Sequence, residues 1–196
     1  MMRVVAVMCA VALSASVASA QGPAQQGPVS LSMSLQRSYA AIKNNLTLAA
    51  EKLPEADYGF KPSTMPEVRT YGQLFGHVAN AQFNACAAAR GVPNPNQGRN
   101  LETLLKTKAE IVKALADSFA FCDPAFAALT EANGAEMMTQ GRGQMARSGI
   151  LAGLVAHSNE MYGTAGVYMR AKNVVPPSTE GGQQPQRGGG PGRGGE

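Results

Sequence analysis

The side chains best suited to chemistry in this sequence are two histidines, His77 and His157, the only two in the chain. Imidazole changes charge near neutral pH, and its neutral form is a common metal ligand. His77 is followed at helical spacing by Asn80 and Asn84, amides suited to line the same cavity or its wet rim. His157 is followed by Glu160 and Met161, a carboxylate and a thioether. There is no Gly-rich phosphate loop, no Gly-x-Ser-x-Gly elbow and no Cys-x-x-Cys pair to suggest other chemistry.

The elements that must position these groups read as helices. Leu35, Tyr39, Ile42, Leu46, Ala49 and Leu53 alternate steps of three and four, giving a first helix capped by Ser32 or Ser34 and stopped by Pro54. A loop follows, with Tyr58 and Phe60 set against the bundle. Thr70 and Gln73 form a capping box, and a second helix carries Leu74, His77, Ala81, Ala85 and Ala88 on one stripe up to Gly91. After a proline-containing connection, Asn100 caps a third helix running from Leu101 through Phe119, closed by Cys122-Asp123-Pro124. The glycine-punctuated segment NGAEMMTQGRG reads as a loop. A fourth helix runs from near Gln144 to about Asn173, with Ile150, Leu154, His157, Met161 and Tyr168 on one face. No segment alternates with period two, so no strand is expected.

Four amphipathic helices that must bury their stripes on one another make an all-α four-helix bundle. Both histidines then fall on inward stripes, and an inward ring left unpaired costs about 1–3 kcal/mol. Periodicity alone favours two separately hydrogen-bonded core histidines over a shared site.

The chain has 196 residues. Met1-Met2-Arg3, an apolar run through Val17 and the exit Ala18-Ser19-Ala20 describe a secretory signal over residues 1–20 that is removed after Ala20. The run is shorter than the roughly 20 residues of a spanning helix, so no stable membrane span is expected. Residues 21–31 read as a flexible segment, 32–178 as one helical domain, and 179–196 as a disordered tail rich in Gly, Pro and Gln. The destination is periplasmic or extracellular. A formal charge of +4 with no Trp and no basic stripe argues against nucleic-acid binding. Export meets an oxidising compartment, where Cys86 and Cys122 either form a disulfide or pack as separate thiols. The two fall at opposite ends if the second and third helices run antiparallel, and at one end if they run parallel.

The segments YGFKP, TYGQLFGHVANAQ, SFAFCD and LVAHSNEMYGTAGVYMRAKNVVPPS, spanning about residues 35–178, resemble the DinB-like (DinB/YfiT-like) family. That resemblance implies a four-helix bundle in down-up-up-down order and a divalent metal held by one histidine of the second helix and a His-x-x-x-His pair of the last. His77 matches the first ligand and His157 the second, but Met161 stands where the third histidine is expected. Three neutral imidazoles suit zinc or nickel, and a thioether is a poor ligand for either. Glu160 is the alternative third donor, and a softer set of His77, His157 and Met161 suits copper less securely. The implied parallel second and third helices put Cys86 and Cys122 at the same end, which supports a bridge.

Three functions compete. The favoured reading is an exported bundle with an altered divalent-metal or small-ligand site between the second and fourth helices, without catalysis and with or without a bound ion. The alternatives are a metal-dependent hydrolase or transferase of the family's type, and a structural or partner-binding protein with no metal. The ligand is an unspecified small molecule, and a homodimer is compatible with a bundle of this size.

Overall fold

The computed structural model describes residues 28–182. The expected signal at 1–20 and the tail beyond 182 lie outside the described residues. α1 spans Leu31–Lys52, α2 Tyr71–Arg90, α3 Leu101–Leu104, α4 Lys108–Ala127, α5 Glu131–Gly134, α6 Arg147–Ala171 and α7 Pro177–Gly182. Two short strands, β1 Met137–Gln140 and β2 Gly143–Ala146, stand between α5 and α6. The four long helices are α1, α2, α4 and α6. α1 packs on α4 and α6, and α2 packs on the same two, so α1 and α2 occupy opposite corners.

Helix direction follows from which residues meet. Gly72 and Ile111, near the starts of α2 and α4, are in contact, and Cys86 and Cys122, near their ends, are joined as a disulfide with Cα atoms 5.3 Å apart. α2 and α4 are therefore parallel. Tyr39, early in α1, stacks on Phe126 near the end of α4, with ring centroids 3.8 Å apart, and its hydroxyl donates to Asp123. α1 is thus antiparallel to α4. The main core fills the space between these helices, with Ile42, Leu46, Phe75, Leu115, Phe119 and Leu151 almost fully buried. Each such side chain contributes about 1.5–3 kcal/mol on removal from water.

Local signals place most boundaries. The Thr70–Gln73 capping box is present, and Gly91 ends α2 at φ +65°, where a side chain would be strained. Tyr58 is buried and Phe60 meets Tyr168 edge-on.

Other boundaries differ from the sequence reading. Ser30 caps α1, its hydroxyl accepting from the Met33 amide, because Ser32 and Ser34 already lie within the first turn. The expected third helix is two. Asn100 caps only the single turn α3, and a second capping box, Thr107 with Glu110, starts α4 after a break at Leu105–Thr107. Pro124 does not close α4, which runs on to Ala127. Proline there forfeits only one amide bond close to the helix end, and the Tyr39 and Phe126 contacts hold that last turn in the core.

NGAEMMTQGRG, expected as a loop, is a hairpin. Met137 to Gln140 pair with Ala146 to Gly143 around Gly141, which takes φ +60°. Its side chains lack period-two burial because the hairpin lies mostly exposed, so the alternation that announces a half-buried strand is missing. Gln144 consequently lies in β2, and α6 begins at Arg147. α7 crosses the expected boundary at 178, docked by hydrogen bonds between Tyr162 and Ser178. No described helix is long and apolar enough to cross a membrane.

Free-thiol titration of the mature chain, unfolded without reductant, is expected to find Cys86 and Cys122 unreactive; two reactive thiols would refute the pairing. The bridge closes a loop with a sequence separation of 36. Reduction should lower stability by about 3–4 kcal/mol in denaturant melts.

Candidate functional site

His77 lies in the second turn of α2, and what surrounds it comes from the connection to α4. That connection runs back along α2. Asn94 donates to Asn84, Asn96 donates to Asn80, and Asn80 donates to Asn100 while accepting from the Leu101 amide. α3 then crosses α2 at Gly76, where a Cβ would stand 3.1 Å from Glu102 Cα and 3.2 Å from Glu102 N. The missing side chain permits this close approach.

The crossing delivers Glu102 to His77. Glu102 Oε1 lies 2.5 Å from His77 Nδ1, and Glu102 Oε2 accepts from Arg69 Nε at 2.7 Å. Arg69 Nη2 is also 3.2 Å from His77 Nδ1. One ring nitrogen cannot donate to the carboxylate and accept from the guanidinium at once. The shorter, charge-assisted contact decides the assignment: Nδ1 carries the proton and donates to Glu102. Nε2 of the neutral ring then carries the lone pair, and it has no hydrogen-bond partner among the described residues. Arg69 is itself fixed by its carbonyl, which accepts from the Tyr168 hydroxyl of α6 at 2.7 Å.

Burial raises the Glu102 pKa, but hydrogen bonds from Arg69 and His77, with their charges, outweigh it and hold the carboxyl below its ordinary value. The folded pKa is thus depressed. Its stabilising contribution is present above the unfolded pKa near 4.5 and is lost as pH falls through the folded value.

His157 comes from α6. The two imidazole centroids are 4.9 Å apart with the planes at 70°, an edge-to-face contact. His157 Nδ1 lies 3.7 Å from Glu160 Oε2, a carboxylate on the solvent side of the helix. Burial lowers the His157 pKa most and the neighbouring His77 lowers it further, against the raising effect of Glu160. A groove of about 420 Å³ opens beside the pair, bordered by Asn80, Asn84, Asn100 and Glu102.

The structure therefore brings His77 and His157 together, where periodicity alone favoured separate core positions. Asn80 and Asn84 line the groove, yet their amides also pin the connection. Met161 is 7% exposed and belongs to the main core, away from the groove lining. Arg69 and Glu102 were not singled out from sequence. Glu102 two places after a cap reads as an ordinary helix-start acid, and nothing local ties it to a histidine 25 residues earlier.

A family model described as the DinB superfamily matches residues 39–165. The chain belongs to the DinB superfamily. Among solved structures it is similar to a DinB-like protein from Bacillus cereus, with a TM-score of 0.60 and 16% identity over 73% of this chain and 93% of that one. At that identity the likeness concerns the fold. No curated protein matches the chain.

In this DinB superfamily member the donors do not form the three-ligand centre that the resemblance implies. Met161 is in the core, Glu160 faces solvent and Glu102 is engaged by Arg69 and His77. Among the described residues no group of three His, Cys, Asp or Glu side chains is arranged to hold a metal.

Proton NMR of the ring resonances is expected to show His157 titrating below 6.5, and moving up in His77→Ala as one of its three lowering influences, burial, His77 and Arg69, disappears. The folded pKa being the lower one, His157 costs stability as pH falls through the unfolded value and the folded one. An unmoved His157 midpoint in His77→Ala would contradict the coupling.

Proposed function

We propose that this exported DinB-like bundle, its four long helices in down-up-up-down order, binds a small protic molecule in the groove between α2 and α6 and is not itself a hydrolase or transferase. The observation that carries the reading is the Glu102–His77 contact at 2.5 Å. A carboxylate behind Nδ1 makes Nε2 a stronger and better oriented acceptor, the same logic by which a carboxylate sets a working histidine. His157 forms the opposite wall, and the surrounding asparagine amides supply donors and acceptors for a polar ligand. The apolar stripe of export residues 1–20 supports a periplasmic or extracellular setting.

The same backing of His77 supports a second reading. A metal-bound imidazole commonly donates its other N–H to a carboxylate. One zinc or nickel ion held by His77 and His157 alone, with water completing its shell, is compatible with the donors; catalytic zinc sites use three protein ligands, so this site is altered. Copper with Met161 has less support because that thioether lies in the core.

4-Nitrophenol, a weakly acidic O–H probe, separates these readings when titrated into the metal-free mature chain. Saturable binding that weakens about tenfold in His77→Ala and in Glu102→Gln is expected. No binding, or equal binding in His77→Ala, would overturn the first reading. A stoichiometric zinc or nickel complex lost in both His77→Ala and His157→Ala would establish the second.

A further inference from the structure

A second cavity, away from the imidazoles, has a different character. Ala79, Phe83 and Leu101 form a buried apolar cluster separate from the main core, with Leu105, Ala114 and Phe121 packed against it. This cluster is not closed over. It floors a cavity of about 570 Å³ between α2 and α4, within the range of about 300–1,000 Å³ typical of small-molecule sites. The break at Leu105–Thr107 that splits α3 from α4 leaves the space open. Arg90 props the floor, its guanidinium 4.7 Å from the Phe121 ring centroid and donating to the Phe121 carbonyl.

The charges at the mouth are unequal in what they have left to offer. Glu110 Oε2 accepts from the Lys106 and Thr107 amides as the cap of α4. Lys113 and Asp117 pair with each other at 2.6 Å. Arg99 alone has no carboxylate partner among the described residues. Its Nε donates to the Asn96 carbonyl, which sets the guanidinium at the rim, and its two terminal nitrogens have no partner among the described residues. Two parallel N–H donors of that kind match a carboxylate.

We infer that this cavity is a binding site for a small amphipathic carboxylate, its hydrocarbon or aromatic body on Phe83, Leu101, Leu105 and Phe121 and its carboxylate on Arg99. Removal of the apolar body from water supplies affinity, and Arg99 supplies discrimination between an acid and its uncharged analogue. The site shares Asn96 and Arg99 with the border of the histidine groove but needs neither imidazole.

The test is displacement of 8-anilinonaphthalene-1-sulfonate from the folded mature chain by octanoate and by 1-octanol, read by fluorescence. Octanoate should displace the dye at a concentration about tenfold below that of octanol. Arg99→Gln, a change at an exposed side chain, should erase that preference, and Ala114→Phe, which fills the cavity, should abolish displacement while the circular-dichroism melt stays cooperative. His77→Ala should leave displacement intact, so failure of the histidine reading leaves this one standing. Failure of octanoate to displace the dye, equal potency of octanol, a preference retained in Arg99→Gln, or loss in His77→Ala would each overturn it. If Ala114→Phe does not fold, Arg99→Gln decides alone.

Discussion

Because α2 and α4 run in the same direction, the chain between them must travel back the length of a helix, about 30 Å for 20 residues. Most of the site geometry follows from that constraint. The return path lies along α2, pinned by the Asn84–Asn94 and Asn80–Asn96 amide pairs, and it ends in a single helical turn laid across Gly76. There Glu102 meets His77 and Arg69. An antiparallel pair joined by a tight turn would place Glu102 at the far end of α2, and His77 would need another partner. The disulfide fastens the other end of the same helix pair, so the two parallel helices are tied near both termini.

That arrangement changes what the two histidines are. An inward imidazole with no partner is costly, and a core solution would have given each ring its own hydrogen bond. Instead one carboxylate takes Nδ1 of His77, a guanidinium neutralises that carboxylate, and Tyr168 of α6 holds the guanidinium's backbone. α6 therefore contributes both His157 and the brace that orients its neighbour. The third-ligand position of the implied metal centre lies on the same helix one turn beyond His157, but Met161 there packs into the core rather than the groove.

The long helices were legible because their signals are local and repeated. The Thr70–Gln73 box, the Gly91 stop and the three-and-four stripe of α1 each specify an element without help from the rest of the chain. What was illegible depended on tertiary packing. Pro124 reads as a stop but is carried within α4 by the Tyr39 and Phe126 contacts, and the second capping box at Thr107–Glu110 was overshadowed by the good cap at Asn100. The exposed hairpin has no buried face to impress a period on its sequence. At the site, His77 and His157 stood out by residue type, whereas Arg69 and Glu102 became meaningful only once α3 crossed α2.

Glu102 fixes His77 with its proton on Nδ1, which leaves the lone pair on Nε2. Nitrogen-15 NMR of the His77 ring, recorded in the metal-free mature chain at alkaline pH, reads the tautomer directly. A single Nδ1-protonated form, lost in Glu102→Gln, is the predicted result. A proton on Nε2, or an average of both tautomers in the wild type, would contradict the account.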